Sequence, residues 1–432
     1  PGDPAMTLTD QSLVMLDTQG RLVEFRRVPP QRDPAQQPAT PPRWEAVFRA
    51  AGLDQTSFTP VDAEWVPRDF GDTRAAWEGP SPGSPDVRLR VEAAAYRGRV
   101  ISVNLVGPWA RPRAQQPLPR SSVDRALRTF ALTFWWTVLA AAMLLARHNL
   151  RSNRADRRSA ARLAAVCLIG QVAAWALGGH HRSPSPEEVN SFFRVFGNIL
   201  FQAAILWVLY VALEPFGRRF WPDGLLGWTR LFAGHVRDPR IGREILIGAA
   251  LGGALMLVDL FRGLAPYIIG VPPGPPSLGE AVRALAGPGT LALVWADQLF
   301  SSVQFALLIA MMFVGLRLVV RRTWIAVVVG LVVLTIAVMN NARPGDVLWI
   351  YAVGQLLAIG VITLAIFRFG LLVTTVAMFV DNIPSAVPIV LHGPGWAAMP
   401  ANLSIALVLA IVSFGFYAAR AGQPLFGDFS QE

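Results

Sequence analysis

The chain contains no lysine; all 39 of its Lys-or-Arg positions are arginine. That absence removes two mechanisms. Neither the phosphate-cradling lysine of a P-loop nor the phosphate-anchoring lysine of a protein kinase can come from these residues. Cysteine is almost as scarce, and Cys167 alone cannot form an intrachain disulfide. Charged residues make up 16% of the 432 positions against 53% hydrophobic ones, too few charges for an ordinary soluble protein. The kinase string H-R-D is missing, as is any G-x-G-x-x-G loop, so no catalytic set and no cofactor are expected. The chain opens on Pro1 with neither an initiator methionine nor a signal segment, so Pro1 is expected to be a cut end.

What is present is hydrophobic length. Each bilayer crossing needs about 20 mostly apolar residues. Nine such runs occur, at 129–146, 161–178, 193–213, 244–261, 291–316, 323–340, 347–367, 369–389 and 402–419. Residues 126–432 therefore read as a polytopic helical membrane domain. The formal charge of +10 is concentrated in short loops between these runs, which points to membrane topology and anionic headgroups rather than nucleic acid.

Arginine-rich loops stay on the cytoplasmic side. Arg147, Arg151, Arg154, Arg157, Arg158 and Arg162 put the first connection inside, and the stretch from Glu214 to Glu244 puts the third inside. The His180–Arg182 loop and the proline loop at Pro272–Pro276 then fall outside. Arg317, Arg321, Arg322 and Arg368 sit inside, and the C-terminus ends there. This places residues 1–125 outside the cytoplasmic membrane of a bacterium, with an earlier span or signal peptide required ahead of Pro1.

Residues 1–125 are polar and proline-rich, and read as a small, incomplete α+β domain. Two apolar runs around Asp17 and Gly20 predict a hairpin over 13–25, and a proline–glutamine linker follows it. Trp44, Val47 and Phe48 share a helical face that ends near Gly52. The alternating residues 87–91 and 100–106, joined by Arg97-Gly98, predict a second hairpin.

Several strings carry a family resemblance. Residues 212–244, "ALEPFGRRFWPDGLLGWTRLFAGHVRDPRIGRE", resemble the C-terminal membrane region of bacterial serine/threonine protein kinases of the acidobacterial type. So do "LLARHNLRSNRADRRSAARLA" at 144–164, "YAARAGQPLFGD" at 417–428, and "DTRAAWEG" and "VEAAAYRGR" in the front domain. The resemblance implies a cytoplasmic kinase domain in cis, upstream of Pro1, then one span, then this region as its anchoring and sensory part. The strings carry no known chemistry.

Four sets of residues are candidate sites. Asp297, followed by Gln298, Ser301, Ser302 and Gln304, lies inside the fifth run, where a carboxylate costs about 2–3 kcal/mol to insert. With Asp259 it would make a proton or solute site of a transporter or channel-like protein; alone it would serve interhelical hydrogen bonding. A cytoplasmic interface is expected from Arg218, Arg219, Trp228, Arg230, Arg237, Arg240 and Arg243, with Leu225, Trp228, Leu231 and Phe232 forming an amphipathic helix on the membrane face. Gly248, Gly252 and Gly253 form a small-residue stripe for close helix packing, within one chain or in a homodimer. His180, His181, Glu187 and Glu188 fit no metal motif, and Glu187-Glu188 with Arg194 misses the spacing of an intramembrane protease by two residues.

Overall fold

The computed structural model describes residues 6–17, 19–32, 40–82, 84–110, 122–179, 181, 186–271, 279–342, 347–389 and 395–420. It divides into two compact units, Pro1–Pro119 and Arg120–Glu432.

The first unit is an antiparallel sheet of six strands with one helix. In chain order these are β1 (Ser12–Leu16), β2 (Leu22–Arg27), α1 (Trp44–Ala50), β3 (Thr59–Val61), β4 (Thr73–Ser81), β5 (Ser84–Tyr96) and β6 (Arg99–Val106). They pair in the order β1-β2-β6-β5-β4-β3. Both expected hairpins form, β1–β2 around the Asp17 turn and β5–β6 around Arg97-Gly98. The Asp17 carboxylate accepts from the amides of Gln19 and Arg21, both at 2.9 Å, which closes the first turn. Helix α1 ends at Ala51, with Gly52 in the left-handed region and the Leu53 amide donating back to the Phe48 carbonyl at 2.9 Å. That is the glycine-closed helix end expected from the sequence. The face of α1 packs its Phe48 edge-on to Trp77 of β4, ring centres 5.2 Å apart, over Val91 and Val103.

The second unit is a helical bundle. Its helices are α2 (Ser122–Arg151), α3 (Arg157–Gly178), α4 (Pro186–Phe220), α5 (Leu226–Phe232), α6 (Pro239–Ile268), α7 (Gly279–Leu285), α8 (Pro288–Val320), α9 (Thr323–Val338), α10 (Leu348–Leu364), α11 (Leu371–Ala386) and α12 (Gly395–Ala419). Eight of the described helices are long and apolar enough to cross a membrane. The run expected at 369–389 gives the shorter apolar helix α11, because the backbone turns extended at Val387 just after Pro384.

Helix α8 is the axis. Every residue from Ala306 to Val314 is buried, so the helix is covered on all sides. It packs against α3, α4, α9 and α11. A second group gathers around α6, which packs against α10, α11 and α12. The outward faces carry large apolar side chains, among them Trp136, Leu257, Val319, Trp324 and Trp349, an arrangement suited to lipid rather than water.

The glycine stripe on α6 is used within the chain. A Cβ on Gly248 would overlap Val376 and the Val373 carbonyl, and one on Gly252 would overlap Val380 and the Ala377 carbonyl. Both glycines therefore let the α6 and α11 backbones touch. Gly253 faces open space and takes no part in that contact.

Candidate functional site

Two cavities open at opposite ends of the α6 group. Following α6 from its first turn, Arg240, Arg243, Glu244 and Ile247 line the first; Leu255, Asp259, Arg262 and Pro266 line the second. From Arg240 to Arg262 the rise of about 1.5 Å per residue gives a separation of about 33 Å.

The second cavity, about 440 Å³, is the polar chamber. Helix α6 supplies Asp259 and Arg262, α10 supplies Tyr351 and Gln355, and α11 supplies Asp381, Asn382 and Ser385. The Arg262 guanidinium lies 3.2 Å from the Asp259 carboxylate and 5.1 Å from the centre of the Tyr351 ring. Gly354 of α10 leaves room for the Arg262 stem. Arg262 is the only cation that lines the chamber among the described residues, and it faces two acids. One Asp381 carboxylate oxygen is buried with no hydrogen-bond partner. Asn382 donates to the Ser302 hydroxyl at 3.1 Å, which ties the chamber wall to α8. Two carboxylates, one guanidinium and an aromatic face between apolar helices make a site for a small polar or cationic solute.

This differs from the expected polar site. Asp259 belongs to the chamber, but Asp297, Gln298 and Gln304 do not line it. Asp297 instead lies 3.9 Å from Arg283 of α7 and is 40% exposed. Ser302 reaches the Gln298 backbone carbonyl at 2.7 Å, an ordinary helix back-bond. The acid that completes the pair is Asp381, deep in an apolar run like Asp297 and open to the same argument from insertion cost.

The first cavity, about 670 Å³, sits among the expected interface arginines. Phe220 ends α4, Trp221, Asp223 and Gly224 come from the segment after it, and Phe367, Arg368 and Phe369 come from a π-helical turn, Ala365–Phe369, that ends α10. Arg240 donates to the buried Glu244 carboxylate at 3.0 Å and to the Asp223 carbonyl at 2.9 Å. The other arginines are dispersed. Arg218 is ion-paired with buried Glu214, Arg219 lies against the Phe220 ring, Arg230 pairs with Asp238 at 2.7 Å, and Arg237 is exposed. The Arg240 amide, together with Arg230, outweighs desolvation and holds the Asp238 carboxyl below its usual range.

One expectation is corrected here. Helix α5 does not present an apolar face to headgroups. Leu225 and Trp228 are buried in the bundle core at 7% and 2% exposure, with Leu231 and Phe232 packed against it. Trp228 is thus a core residue, not a surface one. The helix is short, and the core offers its indole more apolar contact than a headgroup layer would.

Two of the resembling strings meet inside the bundle. Pro215, inside α4, has no N–H to give the Val211 carbonyl four residues earlier. Asn149 of α2 fills that gap, donating from Nδ2 to the carbonyls of Val211 and Ala212, each at 3.1 Å. Asp156 caps α3, accepting from the amides of Arg158 and Ser159, and its own amide donates to Glu214 at 3.4 Å. Burial opposes the Asp156 charge, but the Ser159 hydroxyl and those amides hold its carboxyl below the usual range. Replacing Asn149 by leucine is expected to cost about 1–3 kcal/mol by stranding a buried carbonyl. In a Pro215→Ala background the restored N–H should shrink that cost, and equal costs in both backgrounds would show that Asn149 does not serve this gap. Unfolding in detergent measures both.

In the short loop after α3, His181 bonds Glu188 at 2.7 Å and the Trp175 carbonyl at 3.2 Å. The Glu188 hydrogen bond raises the His181 pKa against a smaller opposing effect of burial. A raised folded value means that the pair stabilises below the ordinary histidine pKa and loses this as pH rises through the folded one. Histidine NMR should place the His181 midpoint above 6.5, the ordinary value, and Glu188→Gln should lower it. No group of three metal-binding side chains occurs among the described residues; His180 and the Glu187 side chain lie outside them. The string Gly79-Pro-Ser81-Pro-Gly83 has the G-x-S-x-G spacing of a hydrolase elbow. Ser81 ends β4 in a hairpin to β5, however, where no strand-to-helix turn exists to present it.

Fold and site together define the class, a multi-pass helical bundle with a polar chamber at one end and an arginine-lined cavity at the other. No protein-family model, curated protein or solved structure matches the chain.

Proposed function

We propose that the chain is the sensory and anchoring region of a receptor-like bacterial serine/threonine protein kinase, and that its signal is read in the polar chamber. The observation that carries this is shared helices: α6, and α10 continued by its π turn, line both cavities, while α11 starts beside the arginine cavity at Gly370 and lines the chamber with Asp381. A solute that binds differently to two arrangements of these helices shifts the population at the far end as well. The arginine end is the cytoplasmic one by the positive-inside rule, where a kinase domain in the same polypeptide would respond. In this reading α11 is a ninth, shortened span, residues 1–125 lie outside the inner membrane, and the C-terminus lies inside.

The test is autophosphorylation of the full gene product in liposomes. Asp381→Asn, which alters the chamber and leaves the arginine end intact, is expected to change the rate severalfold. An unchanged rate with the fold retained would reduce this region to an anchor.

A second reading uses the same chamber. Asp259 and Asp381 paired within apolar helices also suit a proton- or cation-coupled transporter. Solute-driven proton flux in liposomes, lost in Asp259→Asn, would favour it; no flux above empty liposomes would remove it.

A further inference from the structure

We propose that the arginine cavity is a binding site for the phosphate headgroup of an anionic phospholipid. The proposal rests on the chain being membrane-embedded, and it does not depend on the chamber or on a kinase.

Three guanidiniums converge on the cavity from two directions. Arg240 and Arg243 come from the first turns of α6, and Arg368 comes from the π turn after α10. Their states differ. Arg240 is fixed by Glu244 and the Asp223 carbonyl, so its orientation is set before anything binds. Glu244 is in turn buried against Gly227, where a Cβ would overlap its carboxylate. Arg243 and Arg368 are exposed, and neither is ion-paired with a described residue. Arg368 rests beside the neighbouring Phe369 ring, 5.8 Å from its centre. One anchored and two unpaired guanidiniums around a common space suit a phosphate, whose oxygens take forked N–H donors.

The remaining lining argues for a lipid over a soluble phosphate. Phe220, Trp221 and Phe367 wall the cavity with aromatic surface, and the Trp221 and Phe367 rings meet edge-on at 5.0 Å. The cavity lies where the apolar run of α6 begins, and its lining combines guanidiniums with aromatic rings. Glycerol and acyl-ester groups use such apolar surface beside the charges; inorganic phosphate does not. The π turn supplies the reach. The extra residue in it re-aims Arg368 relative to a regular α-helix, and such turns are frequent at functional sites. Immediately after it Gly370 takes a left-handed φ of 103° against the Gly224 backbone, which seats the segment after α4 on the start of α11. A bound headgroup would therefore touch three separate stretches of chain at once.

The experiment is native mass spectrometry of the purified protein released from nanodiscs of phosphatidylcholine mixed equally with phosphatidylglycerol. Wild type is expected to keep phosphatidylglycerol adducts in clear preference to phosphatidylcholine. Arg243→Gln/Arg368→Gln should cut that preference at least tenfold, while Arg243→Lys/Arg368→Lys retains part of it. A charge-matched control, Arg151→Gln/Arg158→Gln, alters exposed arginines outside the cavity and should leave the preference intact. Equal loss in the cavity and control variants would overturn the site in favour of diffuse surface charge. Phosphate or glycerol phosphate binding tightly to a protein that shows no lipid preference would overturn the lipid source. Thermal unfolding of each variant near the wild-type temperature confirms that the loss reflects binding and not folding. Failure here would leave the chamber variants and their phosphorylation readout standing.

Discussion

Arg262→Met is expected to destabilise the membrane unit by about 2–3 kcal/mol, between the cost of breaking an exposed pair and a fully buried one. Arg262 is the only described cation lining a chamber that also holds Asp259 and Asp381. Methionine keeps much of the stem beside Gly354 and Tyr351 but removes the charge 3.2 Å from Asp259. Two carboxylates are then left to repel each other between apolar helices. The effect should be rescued by removing what the arginine neutralises. Arg262→Met/Asp259→Asn/Asp381→Asn is expected to recover most of the loss, because an uncharged chamber needs no counter-ion. Steric-trap unfolding in bicelles measures all three proteins. A triple variant no more stable than the single one would mean that Arg262 acts through packing rather than charge.

Gly252→Val is expected to be the second large effect, about 3 kcal/mol, at the upper end for inserting bulk into a packed core. Valine would meet both the Val380 side chain and the Ala377 backbone carbonyl across the α6–α11 seam. Backbone cannot swing aside as a flexible side chain can, so the helices must separate. Gly253→Val, one residue on, faces open space and should be nearly neutral. The pair of variants isolates the seam from helix propensity, since both exchange glycine for valine in the same helix. If both variants lose stability equally, the seam is not the cause.

The spans were legible because length and apolarity are properties of contiguous sequence. Both hairpins of the front unit and the helix over Trp44–Ala50 were legible for the same reason, with turn residues where the chain reverses. Strand β4 carries only a weak alternation and runs through Gly79 and Pro80, so its pattern did not announce a strand. The chamber was half legible. Asp259 stands out in the sequence as an acid in an apolar run, whereas Asp381 lies in a run that Pro384 and Pro388 interrupt, and that irregularity hides it. Asp297 looks unpartnered in the sequence because Arg283, which it approaches, comes from a short helix outside the apolar runs. The bond from Asn149 to the carbonyl freed by Pro215 joins residues more than sixty positions apart, and no local pattern reports such a pairing. The burial of Trp228 is hidden in the sequence for a different reason. A short amphipathic helix looks the same in sequence whether its apolar face meets lipid or a neighbouring helix.

The central claim is that the chamber and the arginine end move together through α6, α10 and α11. The most direct measurement is a distance distribution at the arginine end while only the chamber is altered. Spin labels at Val236, ahead of α6, and Leu364, at the end of α10, occupy exposed positions, and the buried Cys167 can be replaced by alanine to clear the background. In nanodiscs, Asp259→Asn/Asp381→Asn is expected to shift or redistribute the distance between these labels by electron–electron resonance. An identical distribution in a folded variant would contradict the coupling and leave two independent sites on one bundle.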